Sequence, residues 1–200
     1  MGSINPDWIG GISNRFTYKN FSLSFLVDIR KGGEIASMGK AYRALFGTSL
    51  ESLEGRDGWY ATHDPAYQYS VPLPGVDPKG FVETGINENT GQANTVPVDP
   101  IYRWYNIWSK EIGTEWLVDA TNVRLRELVL AYSLPRQLLS RTPLSDVQIS
   151  LVGRNLFFIY NAMNDVDPES GYSSGNTGGG FEHNAIPTLR SLGFNIKIGF

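Results

Sequence analysis

Cysteine is absent from the 200-residue chain. That excludes disulfides, thiolate metal sites and cysteine nucleophiles together. Charge is scarce as well. Asp, Glu, Lys and Arg make up 18% of the residues, against about 25% in an ordinary soluble domain. The net charge is −3 and no long run of Lys or Arg occurs, so nothing points to nucleic acid. Long apolar runs are missing too. The longest are runs such as Leu128-Val129-Leu130-Ala131-Tyr132 and Leu156-Phe157-Phe158-Ile159-Tyr160, far short of the roughly 18 residues a membrane helix needs.

What the chain has in quantity is glycine, at 22 residues, and aromatic side chains, at 12%. Both suit a β protein rich in turns. Period-two alternation is the clearest pattern. Trp8, Gly10, Ile12, Asn14, Phe16 and Tyr18 alternate with Ile9, Gly11, Ser13, Arg15 and Thr17. After Lys19-Asn20, a second run sets Phe21, Leu23, Phe25, Val27 and Ile29 against Ser22, Ser24, Leu26, Asp28 and Arg30. Leu128, Leu130, Tyr132 and Leu134 form a third apolar face, and Val147, Ile149 and Leu151 a fourth. In the last run Leu192, Phe194, Ile196, Ile198 and Phe200 share one face, while Ser191, Asn195 and Lys197 lie on the other.

Alternation alone fits both a soluble sandwich and a barrel. Three features favour the barrel. Runs near ten residues suit a tilted membrane crossing, whereas globular strands average about 5–6. Connections alternate between very short or moderate (Lys19-Asn20, Pro135–Ser145) and long (31–121, 161–187), as in outer-membrane barrels. The final strand is amphipathic and ends on an aromatic residue. The expected fold is therefore all-β, with about five strands of a large antiparallel transmembrane barrel and long external loops. Within 31–121, Ile35–Phe46 suggests a short helix, the stretch up to Pro100 reads as irregular loop, and Tyr102–Trp108 permits a strand. Gly171–Gly180 is a flexible, core-free segment.

Ordered motifs carry a resemblance. They are Asn5-Pro6-Asp7-Trp8-Ile9-Gly10-Gly11-Ile12-Ser13-Asn14, Tyr18-Lys19-Asn20-Phe21-Ser22-Leu23, Arg30-Lys31-Gly32-Gly33 and Asp119-Ala120-Thr121-Asn122-Val123-Arg124-Leu125-Arg126-Glu127. Tyr132-Ser133-Leu134-Pro135, Val152-Gly153-Arg154-Asn155-Leu156, Asp167-Pro168-Glu169 and the ending from Pro187 to Phe200 follow. In this order and spacing the chain resembles the C-terminal end of SusC/RagA-type TonB-linked outer-membrane transporters of Bacteroidetes. The resemblance implies the cell outer membrane and a barrel of about 22 strands around a plug. It also implies a SusD-like lipoprotein lid, a TonB box in an N-terminal region, and oligosaccharide or peptide cargo. It makes the chain a C-terminal fragment without plug or TonB box, its last strand closing the parent barrel through Leu192, Phe194, Ile196, Ile198 and Phe200. Met1-Gly2-Ser3 runs directly into Ile4-Asn5-Pro6-Asp7 with no signal peptide; for an exported protein this implies a truncated reading frame or an expression product.

Candidate ligand contacts are the aromatics of the long segment, Trp59, Tyr60, Tyr102, Trp104, Tyr105 and Trp108, with Tyr67 and Tyr69 beside them. They are suited to stacking on sugars or against a lid protein, but an interfacial girdle or internal loop packing is the more ordinary role. Asp165, Asp167 and Glu169 supply alternating carboxylates for calcium, though the glycine and distal glutamate of an EF-hand loop are missing and a solvated turn is the simpler reading. Arg124 and Arg126 have three open roles: facing lipopolysaccharide phosphates, pairing with Glu127, or lining the lumen. His63-Asp64 and Glu182-His183 form no triad spacing, and Gly178–Gly180 lack a dinucleotide fingerprint. No enzyme, cofactor or metal is expected. The competing reading is a soluble β-sandwich module that binds carbohydrate.

Overall fold

The computed structural model describes residues 2–164, 166–170 and 179–200. Asp165 and most of the glycine-rich segment, residues 171–178, lie outside them. Two compact units result, one from residues 1–36 and 118–200 and one from residues 37–117.

The first unit is a five-stranded antiparallel meander. Its strands are β1 (Trp8–Tyr18), β2 (Phe21–Lys31), β3 (Asn122–Ser133), β4 (Asp146–Asn161) and β5 (Ser191–Gly199). Each pairs with its neighbour in sequence order, leaving β1 and β5 at the edges. The expected set of about five antiparallel strands is borne out. The turn at Lys19-Asn20 is tight because Lys19 adopts a left-handed φ of 53°. Two boundaries differ from expectation. β4 runs on to Asn161, carried by Phe157–Tyr160. β5 starts at Ser191 and stops at Gly199, so Phe200 falls just past the ladder.

Register makes the faces continuous. Phe16 pairs with Leu23, Leu23 with Leu130, Leu130 with Leu151, and Leu151 with Phe194. A second row links Tyr18, Phe21, Tyr132, Ile149 and Ile196 in the same way. Directly paired residues share a face, so these rows form one apolar sheet surface. It is uncovered: Leu192 is 78% exposed and Phe194 75%. A β-sandwich would bury this face under a second sheet, and among the described residues no such sheet covers it. The other face carries Arg15, Asp28, Arg124, Arg126, Arg154 and Lys197 among serines and asparagines.

One irregularity decides which residues lie where. Leu26 pairs with Glu127 but Val27 with Leu125, and across β4 Glu127 pairs with Arg154 but Leu125 with Phe157. Arg126 is therefore unpaired in both ladders. It is a bulge residue, and bulges re-aim side chains. Strict alternation would have set Arg124 and Arg126 on the Leu128 face. The bulge instead turns Leu125 and Val123 to the apolar side and both arginines to the polar side.

At the Lys31 end of β2 the resemblance motifs clasp one another. Thr121 Oγ1 accepts from Gly32 N at 2.9 Å, and Ala120 N donates to Gly33 O at 2.8 Å. Gly32 has a φ of 76°, and a Cβ there would collide with the Asp7 carboxylate, so glycine is required twice over. Asp119 Oδ1 accepts from Thr121 N at 2.8 Å and Thr121 Oγ1 at 2.6 Å. The Thr121 hydroxyl, more than any other influence, holds the Asp119 carboxyl below its ordinary range. A small core of Ile35, Ala120, Met163 and Val166 lies here.

The second unit carries three α-helices, while residues 68–99 hold no helix and only the two-residue strands Phe81–Val82 and Pro97–Val98, close to the irregular loop expected there. α1 (Met38–Leu45) matches the expected short helix, and its N-cap Ser37 accepts from Lys40 N at 3.1 Å. α2 (Arg56–Thr62) was not expected. α3 (Pro100–Ser109) occupies the segment that alternation had allowed as a strand. Its start is set by Asp99, whose carboxylate accepts from Ile101 N at 2.8 Å, followed by Pro100 in the first turn, a favoured helix opening. Ala41, Ala44, Trp104, Ile107 and Trp116 form the core, with Trp108 against it. Trp104, Ile107 and Trp108 lie on one helical stripe. Among the described residues, no helix is long and apolar enough to cross a membrane.

Candidate functional site

The polar face of the first unit holds its densest charge cluster. Arg126 Nε lies 2.6 Å from Asp28 Oδ2, and Arg126 Nη1 donates to Asn155 Oδ1 and Glu169 Oε2, both at 2.9 Å. Arg126 Nη2 also pairs with Glu169 Oε1. Arg124 Nη1 donates to Glu169 Oε2 at 2.7 Å and sits 3.5 Å from Asp167 Oδ2. Its guanidinium lies 4.4 Å from the Phe158 ring centroid, a stacked cation–π contact. Of the three roles open to these arginines, pairing with Glu127 is not adopted: Glu127 pairs with Arg154 at 3.0 Å.

Asp167 is buried, contrary to the solvated turn expected of Asp-Pro. Its Oδ1 accepts from Glu169 N at 2.9 Å and its Oδ2 from Thr188 N at 2.9 Å, with the Thr188 hydroxyl beside it. Burial pushes the carboxyl up. The Thr188 hydroxyl, the two backbone N–H groups and the Arg124 charge together outweigh it and hold the group below its usual range. Asp167 and Glu169 are turned onto arginines, Asp165 lies outside the described residues, and no metal-holding cluster occurs among the described residues. These two acids therefore pin the segment after β4 to the sheet. A recess of about 530 Å³ adjoins the cluster, lined in part by Gly10, Gly11, Arg30 and Asn122.

The aromatic candidates separate by burial. Tyr102 and Tyr105 are 58% and 54% exposed, their rings 6.3 Å apart and nearly parallel. Trp104 is only 7% exposed and packs on Trp116 at 5.7 Å, so it offers no free face. Trp59 stacks on the buried His63 at 3.5 Å and donates Nε1 to Tyr69 O at 3.0 Å. Tyr60 packs on Tyr69 at 4.5 Å. Trp108 is half-buried against Tyr42 at 5.1 Å. The His63 Nδ1 lies 2.9 Å from Trp59 O and 3.2 Å from Thr62 Oγ1, a structural role at the end of α2. Glu182 is buried, and neither His-containing pair builds a nucleophile and base. Trp116, which stands apart in sequence from the Tyr102–Trp108 run, is not among the aromatics that spacing singles out.

A sheet with one charged face and one bare apolar face matches the two-faced wall of a transmembrane barrel. No protein-family model matches the chain. It is 25% identical over 207 residues to TonB-dependent receptor P3 of Formosa agariphila, a match covering 98% of this chain. In fold it is similar to the RagAB peptide importer in its open-open state, with a TM-score of 0.58, 20% identity and full coverage of this chain. A second structure, of the RagAB peptide transporter, gives 0.59 at 19% identity. The chain spans 17% of the length of that receptor and 18% of each of those solved chains. These likenesses bear out the resemblance to a SusC/RagA-type TonB-linked transporter, an all-β barrel protein of the cell outer membrane.

Proposed function

We propose that this chain supplies barrel wall, closing strand and external loops to a TonB-dependent outer-membrane importer of oligosaccharides or peptides. The observation that carries this reading is the five-strand apolar surface, with Phe16, Leu23, Leu130, Leu151 and Phe194 all exposed across it, set against a charged opposite face. Lipid satisfies the first and an aqueous lumen the second. On this reading β1 descends, β2 ascends, and the 37–117 unit lies outside the cell, as does the segment between β4 and β5. The exposed tyrosines Tyr60, Tyr102 and Tyr105 are then available to cargo or to a SusD-like lid. Plug and TonB contact belong to the remainder of the parent protein. The chain carries no catalytic role.

Limited proteolysis of whole cells expressing the full-length protein tests the topology. Cleavage is expected within Gly75–Pro100 and not at Lys19-Asn20. Cleavage at Lys19-Asn20 with protection of 75–100 would invert the assignment. Loss of uptake on removing the TonB complex, with barrel levels unchanged, tests the importer itself.

A further inference from the structure

One amide stands in the middle of the apolar face. Asn14 pairs with Phe25, Phe25 with Leu128, Leu128 with Gly153, and Gly153 with Leu192. Its side chain therefore points outward in the same row as three hydrocarbon side chains and a glycine. The row on one side, from Phe16 to Phe194, carries no hydrogen-bonding side chain. Nor does the row on the other, which runs from Ile12 through Val27 and Leu125 to Phe157. Asn14 is exposed, and among the described residues its side-chain amide makes no hydrogen bond. The neighbours within reach are Phe25 across the ladder, Ile12 and Phe16 two places along β1, and Leu23 and Val27 on the diagonals. None of them has a polar side-chain atom.

Asn14 also lies near mid-depth. β1 runs from Trp8 to Tyr18. At about 3.4 Å per residue and a tilt near 45°, Asn14 sits about 10 Å in depth from Tyr18 and about 14 Å from Trp8. Hydrocarbon offers an amide no partner, and an unpaired one there is costly. The nearest position this sheet leaves empty is across the open edge of β1. In a closed barrel that edge pairs with the preceding strand, which sets a Cβ about 4.5–5.5 Å from that of Asn14. The two edges of β1 are also registered differently. Lys19-Asn20 fixes β1 to β2 by a tight turn. With β1 descending, the connection before it is external, where connections are long and leave register open. Alternation rejects a slip of one residue, because the apolar set would turn inward, but a slip of two preserves both faces. A hydrogen-bonded pair rejects that slip as well, since two residues are about 7 Å. A buried asparagine fixes register in coiled coils in the same way.

We propose that the Asn14 amide pairs with a hydrogen-bonding side chain on the strand preceding β1 in the parent protein, and so locks the register of that strand against this wall. This inference rests on the reading of the apolar face as lipid-facing. It is independent of cargo and of energised transport.

The test uses the full-length protein in lipid vesicles. This chain has no cysteine, so Asn14→Cys can be combined with single cysteines placed along the preceding strand. The position that forms an intramolecular disulfide identifies the residue opposite. That residue is expected to carry an amide, hydroxyl, imidazole or charged group. Asn14→Leu should lower the urea midpoint by on the order of 0.3 M, and leucine at the opposite position should do the same. The double leucine variant should lose less than the sum, because neither partner is then stranded. Asn14→Gln keeps donor and acceptor and should lose less than Asn14→Leu. A hydrocarbon side chain opposite, a midpoint unchanged or raised in Asn14→Leu, or additive losses would overturn the proposal. So would no disulfide at any position, or a disulfide formed only between two copies, which would assign the amide to a dimer contact. The lipid-facing reading fails separately, through tolerance of Ile196→Lys.

Discussion

Arg126, unpaired in both of its ladders, is held by Glu169, forty-three residues away in sequence, through Arg126 Nη1 to Glu169 Oε2 at 2.9 Å and a second, parallel contact. A bulge in a wall strand and an acid in a connecting segment are thereby one device. The bulge turns the guanidinium to the polar face, and the acid ties the segment after β4 down upon it. Two-pronged arginine–carboxylate pairs are geometrically specific, so this contact sets where that segment lies.

Arg126→Met should destabilise the folded protein by about 1–3 kcal/mol, because Asp28 and Glu169 each lose a charge-assisted hydrogen bond. Arg126 and Glu169 remain 28% and 25% exposed, which keeps the effect below that of a fully buried pair. A double-mutant cycle with Glu169→Gln, read by urea unfolding in detergent, should give a coupling of about 1 kcal/mol or more. Strict additivity would show that other contacts hold the segment.

Asp167 makes the same segment sensitive to acid. Its folded carboxyl titrates below its ordinary value, so its stabilising contribution is complete above the usual carboxylate pKa of about 3.9. That contribution fades as the pH drops below that value and is lost as the pH falls through the lowered folded value. Protease accessibility of the flanks at Asn161–Asn164 and Asn184–Thr188 should therefore stay flat from neutrality to about pH 4 and rise below it. Asp167→Asn should raise accessibility at neutral pH and flatten the acid response. An acid response unchanged in Asp167→Asn would assign it to another group.

The two faces of β5 give a direct test of the membrane reading. Ile196 pairs with Ile149 on the apolar face, and Asn195 with Ser150 on the polar face. Ile196→Lys should cost about 2–4 kcal/mol if it lies near the bilayer midplane, and Asn195→Lys much less. Folded fraction and outer-membrane level of both variants in the full-length protein measure this. Equal tolerance, or greater damage at 195, would reverse the faces.

Phe200 follows the last ladder residue and is 89% exposed. In the barrel reading it terminates the closing strand and is available to assembly factors. Deleting it should lower the amount of assembled full-length barrel while leaving ligand affinity of assembled molecules unchanged. Normal assembly with altered affinity would remove the assembly role.

The chain by itself has two open sheet edges, β1 and β5, and hydrocarbon cannot satisfy unpaired backbone groups. Five strands are also fewer than the eight of the smallest such barrels. Expressed alone, it should give no monomeric, heat-modifiable, protease-resistant species in detergent. Observing one would show that it closes by another route.

Alternating residues determined the five strands and which residues share the apolar face of each, because side chains in a strand point to opposite sides with a period of two whatever the surroundings. That is why Leu192, Phe194, Ile196 and Ile198 were legible as one surface from spacing alone. The tight turn at Lys19-Asn20 was legible for a similar local reason. Tertiary structure decided the rest. Alternation places Arg124 and Arg126 on the apolar side, and only a bulge visible across two ladders moves them to the charged one. The buried state of Asp167 depends on Thr188 and Arg124, neither near it in sequence. Tyr102–Trp108 satisfies both periods over so short a run. The helix prevails there because Asp99 caps it and Trp104 and Ile107 enter a core shared with Ala41, Ala44 and Trp116.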